Sequence, residues 1–166
     1  MSTYTVGITD KMRGRYFSRT LTVKGLGMWI TKRTDYATRA VLALALVEGD
    51  RAVKLEELAR LTEVPASVLE QVMPALRTAG IVRSERGAHG GYRLNKRPAE
   101  ITLERIVRLF QGQLAPIGFA TRRNPDPCPD LVARSLRPVW AEVRDATIDI
   151  LERTTFADLA ARSQES

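Results

Sequence analysis

Three polar side chains near the middle of the chain, Ser67, Glu70 and Gln71, have the chemistry needed to contact nucleic-acid bases. Gln71 can form two hydrogen bonds with the edge of an adenine, and Glu70 can accept one from the N4 amine of a cytosine. Ser67 can bond a base or a phosphate. Each also has a plainer role, because Ser67 and Glu70 fit a capping box and Glu70 fits a solvated helix charge. The spacing leaves both interpretations open.

A second set of residues brings positive charge to a glycine-rich segment over 87–91. Arg83, Arg86 and His89 can contact phosphates or the minor groove of DNA, and the glycines permit a tight hairpin and close backbone approach. A bare hairpin would explain the glycines but not the arginines. Residues at the start of an earlier helix join this set, because helix N-termini favour anions such as phosphates. The candidate DNA contacts are Lys32, Arg33, Tyr36, Ser67, Glu70, Gln71, Arg83, Arg86, His89, Gly90 and Gly91.

The residue inventory argues against catalysis and against a metal site. The chain contains one histidine, His89, and one cysteine, Cys128, whereas zinc sites and iron–sulfur clusters need several such ligands. It has no phosphate-cradling glycine loop and no pair of carboxylates that stands out. A single cysteine excludes an internal disulfide and fits a reducing, cytoplasmic location. We therefore expect a protein that is not an enzyme and that has no metal or other cofactor.

The distribution of charge narrows the choice of partner. The 166 residues carry a formal net charge of +7, which favours a polyanion such as double-stranded DNA. Residues 1–27 hold five basic residues against one acidic residue, whereas 101–166 are balanced. DNA binding should then depend on individually placed arginines rather than on a general positive field. No apolar run approaches the roughly 20 residues of a membrane span, so no membrane partner is expected.

The elements that position these side chains form a helix-turn-helix followed by a hairpin. Two apolar stripes at i, i+3, i+4 spacing predict two short helices joined by residues 62–65. The stripes are Leu55, Leu58, Ala59 and Leu61, and then Val68, Leu69, Val72, Met73 and Leu76. Alternating residues over 81–84 and 92–95 predict two strands. The pattern is that of a winged helix-turn-helix, a mainly α fold with a small β-hairpin, whose second helix enters the major groove of DNA.

The chain divides into four parts: a basic, disordered extension over 1–27, a winged helix-turn-helix domain over 28–110, a loop over 111–130, and a dimerisation helix with a C-terminal helix over 131–166. In the second part we predict a helix over 29–47 before the helix-turn-helix. Pro74 predicts a bend. Thr102 should cap a helix ending at Phe110. That helix should bury Ile106, Leu109 and Phe110.

The segment over 131–151 carries a heptad repeat of apolar residues, and a helix striped in this way needs a partner. It either packs on its own domain or, as we favour, pairs with a second copy of the chain. Pro138 predicts a kink or the true first turn of this helix, and Thr155 with Asp158 fits a capping box that opens a last short helix. The candidate dimer-interface residues are Val132, Leu136, Val139, Trp140, Val143, Ala146 and Ile150.

The extension over 1–27 has two interpretations. It is either leader sequence translated from a wrongly assigned start codon, or a basic arm that tracks DNA phosphates. A comparison of DNA binding by the full chain and by a chain that starts at Met28 would separate them. In the loop, Arg122 and Arg123 could hold an anionic effector, although a solvated pair is the simpler interpretation.

Five segments in a fixed order resemble the bacterial Rrf2 family of winged helix-turn-helix transcription regulators, whose members include the IscR and NsrR repressors. The segments are 28–45 (MWITKRTDYATRAVLALA), 69–71 (LEQ), 76–84 (LRTAGIVRS), 90–94 (GGYRL) and 154–159 (TTFADL). The resemblance covers roughly residues 28–160. It implies a homodimer in which the long C-terminal helix crosses to the partner, and in which two winged units bind a pseudo-palindromic promoter site.

The resemblance also implies a departure from the family pattern. Well-known members hold an iron–sulfur cluster through three cysteines in the loop before the dimer helix. Here that loop carries only Cys128, Arg134 falls where the last cysteine would lie, and the first has no counterpart. The chain thus resembles a cluster-free branch, in which Cys128 is a possible sensor, although two nearby aspartates disfavour its thiolate.

Three functions follow as alternatives. The first is a DNA-binding regulator, a repressor, that acts as a homodimer and responds to an unknown effector. The second is a winged-helix module that binds another protein and has no DNA sequence preference. The third is a redox sensor whose cluster is completed by ligands other than cysteine.

Overall fold

The structure, a computed structural model, describes residues 3–12, 15–24, 30–47, 51–87 and 90–165, with the backbone alone for 3–24. Its elements are, in chain order, β1 (Thr3–Met12), β2 (Arg15–Lys24), α1 (Lys32–Leu46), α2 (Leu55–Thr62), α3 (Ala66–Thr78), β3 (Val82–Glu85), β4 (Gly91–Leu94), α4 (Leu103–Gln111), α5 (Leu131–Arg153) and α6 (Phe156–Gln164). Short 3-10 turns lie at Pro98–Glu100 and Gly118–Ala120. No helix within these described ranges is long and apolar enough to cross a bilayer.

The N-terminal extension differs from the prediction. We expected 1–27 to be disordered, but β1 and β2 pair as an antiparallel hairpin from Thr3 opposite Lys24 to Met12 opposite Arg15. The physical reason is local composition, since both strands are rich in threonine, valine and aromatic residues, which favour extended backbone. This preference belongs to individual residues and produces no helical period in the sequence. The two interpretations of the extension remain open.

The predicted helix-turn-helix is confirmed. Thr31 caps α1 by accepting a hydrogen bond from the backbone N–H of Thr34, so this helix begins at Lys32 rather than at residue 29. The three helices enclose one core, in which the largest buried side chains include Leu58, Leu69, Val72, Met73 and Leu76. Leu61 departs from the predicted stripe, because its side chain is 56% exposed. It lies at the edge of the i, i+3, i+4 face, where the apolar pattern cannot distinguish core from rim.

The start of α3 corrects one detail, and its middle contains a proline. Pro65 occupies the N-cap position without a side-chain cap bond, so Ser67 lies inside the first turn and is not the cap. The helix also continues through Pro74 to Thr78. An interior proline costs about 3 kcal/mol, and here it removes the bond to the Glu70 carbonyl on the exposed side. Burial of Met73 and Leu76 beside it offsets that cost.

The wing forms one residue away from the predicted strands. β3 and β4 pair antiparallel, with Arg83 opposite Arg93. Val53 forms an isolated β-bridge to the hairpin, because its backbone N–H donates to the Tyr92 carbonyl and its carbonyl accepts from the Tyr92 N–H, both at 2.8 Å. These bonds attach the hairpin to the segment before α2. The wing is therefore anchored at its base to the helix-turn-helix.

The C-terminal helix returns to the core formed by the first helices. Thr102 caps α4 as predicted. Leu109 on that helix was expected to be buried but is 40% exposed, because the buried face of the helix is rotated toward Val107. The predicted capping box of Thr155 and Asp158 is present at the start of α6. Phe156 is fully buried, and its N–H donates to the Ile101 carbonyl at 3.0 Å. α6 thus closes the core beside α1.

The long helix α5 packs by one side only. Ile148 and Leu151 contact Val107 on α4 and Leu114 after it. Pro138 lies inside the helix, so the alternative that it marks the first turn is wrong. Asp130 starts the helix instead, by accepting a hydrogen bond from the Ala133 N–H at 2.7 Å. With the start fixed in this way, the proline removes one bond, to the Arg134 carbonyl, on an exposed face.

Candidate nucleic-acid interface

The recognition helix α3 presents a polar face to solvent. Leu69, Val72, Met73 and Leu76 turn inward and have no exposed surface. On the opposite side lie the three predicted base contacts, Ser67, Glu70 and Gln71, all of them exposed. The period of the helix separates the two sets, so each polar residue is held in place by the core behind it. This is the geometry that presents hydrogen-bonding groups to a major groove.

The wing carries two exposed arginines beside this helix. Arg83 and Arg86 are exposed, and the described residues give neither of them an ion-pair partner. β3 packs against α3, and Arg77 on α3 donates to the Ser84 hydroxyl at 3.5 Å, a contact that the sequence pattern does not indicate. The predicted contact His89 lies outside the described residues. The helix and the wing therefore form neighbouring parts of one surface.

The wing glycines have a role inside the fold. A Cβ atom on Gly91 would lie 2.3 Å from the Val53 carbonyl oxygen, and one on Gly90 would lie 2.6 Å from the Glu85 carbonyl oxygen. Both distances are far below ordinary carbon–oxygen contact. The strand pairing with Val53 and the turn of the hairpin therefore require glycine at these positions. Their proposed role in DNA contact remains a prediction.

The N-terminus of α1 brings further cations to the domain. Lys32 and Arg33 are exposed and Tyr36 is half-buried. The Arg33 guanidinium lies 5.5 Å from the centre of the Phe110 ring, a cation–π arrangement that restricts its motion. Sequence reasoning missed this contact, because Phe110 is 77 positions away in the chain and carries no local signal. Arg33 nevertheless remains exposed to solvent.

Other cations near the site are already neutralised. Arg93 on β4 pairs with Glu85 at 2.5 Å, and Arg39 on α1 pairs with Asp35 at 3.0 Å. The positive charge of the winged unit that is not neutralised by ion pairs is therefore carried by a few individual side chains. This distribution matches the mild net charge of residues 28–100. Individually placed cations of this kind are suited to phosphate contacts, which position a protein on DNA without reading its sequence.

A comparison with known families supports the same conclusion. The profile of the Rrf2 family, described as "Iron-dependent Transcriptional regulator", matches residues 30–162. The chain belongs to the Rrf2 family. It is a DNA-binding transcriptional regulator of the helix-turn-helix type, and its relatives are regulators rather than enzymes. The resemblance drawn from the five sequence segments is therefore confirmed.

Individual relatives of this Rrf2 protein match about four-fifths of its length. The HTH-type transcriptional regulator CymR of Bacillus subtilis is 32% identical over 134 residues, which are 81% of this chain and 91% of that protein. NsrR of Geobacillus kaustophilus is 30% identical over 133 residues, with 80% and 89% covered. The solved structure of CymR, the global cysteine regulator of B. subtilis, superposes with a TM-score of 0.69 at 31% identity, over 81% of this chain and 97% of that one.

A second solved structure is also similar to this chain, and the family description raises the question of a metal. IscR of T. potens superposes with a TM-score of 0.67 at 28% identity, over 84% of this chain and 91% of that one. The family description names iron, so the donor atoms of this chain decide whether a metal group fits. Cys128, its one cysteine, is half-buried in the loop before α5. Where the structure describes side chains, no three His, Cys, Asp or Glu residues converge to hold an ion.

Arg134, in the first turns of α5, is exposed, and its guanidinium has no lone pair to offer a metal. One thiolate does not provide the several cysteine ligands that a cluster needs. The residues present therefore do not fit a resident iron–sulfur cluster.

Proposed function

We propose that this Rrf2 protein is a homodimeric repressor in the cytoplasm that occupies a pseudo-palindromic promoter site without an iron–sulfur cluster. The observation that carries the proposal is the exposed apolar seam of α5. Its members Val132, Val139 and Ile150 are 72%, 52% and 51% exposed in the single chain. A run of large apolar side chains left in water along one helix face marks a surface that another protein covers.

A second copy of the chain is the partner that fits the seam. The residues recur at heptad spacing, which lets two helices pack side by side with their side chains interlocked. The other side of α5 is occupied by its own domain through Ile148 and Leu151. Trp140 and Val143 lie between the two sides and are half-buried. The helix therefore has one face for its own fold and one face for pairing.

Pairing through α5 would place two recognition surfaces on one duplex. Dimeric helix-turn-helix proteins bind two half-sites about one helical turn apart, so the symmetry of the protein matches that of the site. Occupation of such a site in a promoter would exclude the transcription machinery. An effector could then act by changing the relative placement of the two wings. The donor set of the loop favours a signal other than a resident cluster.

Gln71→Ala is expected to relax sequence discrimination with little effect on general DNA affinity. Loss of two hydrogen bonds to one base edge should reduce discrimination at a single base-pair position by about 1–3 kcal/mol. Fluorescence anisotropy with the DNA upstream of the protein's own gene, and with single-base variants of it, measures the effect. Thr78→Ala is the matched control, because Thr78 is also exposed on α3 but lies at the C-terminal end of the helix. Equal losses on promoter and random DNA would contradict a base-reading role for Gln71.

Arg86→Ala should behave differently, because a phosphate contact carries no sequence information. We expect weaker binding to all DNA sequences and a plot of log affinity against log salt whose slope is smaller by about 1. Arg97→Ala provides the control, since it removes the same charge from a residue that pairs with Glu100 outside the interface. A salt dependence identical in the Arg86 and Arg97 variants would remove Arg86 from the interface.

A further inference from the structure

The loop before α5 is fastened to that helix by three charged side chains. Both oxygens of the Asp145 carboxylate are engaged. Oδ1 accepts from Arg122 Nε at 3.0 Å and Nη2 at 2.8 Å, and also from Arg144 Nε at 2.9 Å. Oδ2 accepts from Arg144 Nη2 at 2.8 Å. Arg122 belongs to the loop, so its pairing with Asp145 corrects the interpretation of Arg122 and Arg123 as a solvated pair.

Arg144 makes the arrangement more than a surface ion pair. Its side chain is only 12% exposed, and its Nη1 donates to the carbonyl oxygen of Ala120 in the loop. Ala120 and its neighbour Phe119 are themselves buried. A half-buried guanidinium that connects a helix carboxylate to a loop carbonyl keeps all three groups satisfied. The loop is thus held by apolar burial and by directed charge contacts at adjacent residues.

We propose that Arg122, Arg144 and Asp145 form a positioning triad that fixes the 118–123 loop on α5 and so sets the separation of the two DNA-reading units. This inference rests on the proposed dimer. The loop lies between the winged unit and the start of α5, where the exposed seam begins, so its attachment adds to the packing of Ile148 and Leu151 that places α5 against the winged unit. A looser loop would let the seam, and with it the partner copy, shift relative to the winged unit.

The charge state of the triad is constant over the range in which cells operate. Hydrogen bonds from Arg144, opposed by partial burial and assisted by those from Arg122, lower the pKa of Asp145 from 3.8 to about 2. A carboxyl whose pKa is lower in the folded state contributes its stabilisation fully above its unfolded pKa, near 3.8. That contribution is lost only as the pH falls from there through about 2. The triad therefore acts as a fixed fastening rather than as a pH switch.

Hydrogen exchange tests the fastening directly, without DNA. The N–H groups of Thr121 and Asp126 both donate to the Gly118 carbonyl, so they report whether the loop stays closed. In full-length protein, Asp145→Asn and Arg122→Gln should each speed their exchange by about three- to tenfold, and the double variant should add little to either. Asp149→Asn is the matched control, because Asp149 pairs on the same helix with exposed Arg153. Unchanged exchange in both triad variants would overturn the proposal.

The dependence of DNA affinity on the distance between the half-sites distinguishes a positioning role of the triad from a purely structural one. The intact protein should lose most of its affinity when one base pair is inserted between the half-sites, because the reading units are held at one separation. Asp145→Asn should reduce that penalty while the unfolding midpoint stays close to that of Asp149→Asn. If the insertion penalty is the same in all variants although the loop exchanges faster, the triad holds the loop but does not position the reading units. If no variant binds DNA, the proposed function fails, and the exchange result still stands by itself.

Discussion

Val139→Glu is expected to convert the protein from a dimer into a monomer and to lower its affinity for a site with two half-sites by about 10²–10⁴-fold. Val139 lies in the middle of the exposed seam of α5. In a symmetric dimer the substitution would bury two carboxylates close to each other, each taken out of water without a cation to pair with. Loss of pairing removes the second half-site contact, which is the source of the large factor.

The measurement combines sedimentation velocity, which gives the mass in solution, with anisotropy on DNA that carries one or two half-sites. Arg134→Gln is the matched control, since it lowers the net charge by the same single unit on the opposite side of the same helix. We expect the single half-site to bind both variants about equally. A Val139→Glu protein that remains dimeric, or a monomer that binds the double site as tightly as the parent, would contradict the assignment of the seam.

Phe156→Ala is expected to have the largest effect on stability, a loss of about 3–5 kcal/mol in the free energy of unfolding. Phe156 is fully buried where α6 closes the core beside α1. Truncation removes apolar contacts and leaves a cavity that the surrounding helices fill only in part. At about 2–4 °C for each kcal/mol, the unfolding midpoint should fall by about 6–20 °C.

Differential scanning calorimetry on the full chain tests this expectation. Leu61→Ala serves as the comparison, because it also truncates a large apolar residue but at a position that is 56% exposed. Its cost should remain below about 1 kcal/mol. Equal losses in the two variants would mean that α6 is not part of the folded core. The result also bears on DNA binding, because α6 supports the helix whose N-terminus carries Lys32 and Arg33.

The sequence was sufficient to predict the winged unit because its signals are local. The spacing of Leu69, Val72, Met73 and Leu76 defines a buried helix face, and the polar residues between them then have to face solvent. The caps at Thr102 and Thr155 were predicted for the same reason, since each accepts a hydrogen bond from a backbone N–H three residues ahead. Residues at the edges of a face, such as Leu61 and Leu109, were not assigned correctly by spacing alone.

Contacts between distant segments could not be predicted in this way. Arg33 over Phe110 and Arg122 on Asp145 join residues that only the folded chain brings together. The heptad pattern of α5 also gave no weight to Ile148, which turns out to be the residue of that helix most deeply buried in its own domain. When a helix has two apolar faces, its sequence shows a single broad apolar stripe. The pattern therefore cannot tell which residues pack on their own domain and which are left for a partner.

Proline and β-branched residues gave the remaining differences. Pro138 was expected to mark a kink or the first turn of its helix, and the first-turn alternative is wrong, because Asp130 caps a helix that contains the proline. Pro74 was expected to bend its helix, and it lies inside a helix that continues to Thr78. The threonine- and valine-rich segments of the extension were expected to be disordered and instead form a hairpin. Packing and helix caps outweighed the helix-breaking tendency of the prolines. In the extension, the preference for extended backbone was underestimated.

The central claim is that two copies of this chain bind one DNA site with sequence preference. Native mass spectrometry of the purified protein with a fragment from upstream of its own gene, and with a scrambled fragment of the same length and composition, tests it most directly. We predict a complex of two protomers per fragment, formed about 10³-fold or more tightly on the native sequence at physiological salt. A single protomer per fragment, or equal binding to the two sequences, would contradict the account.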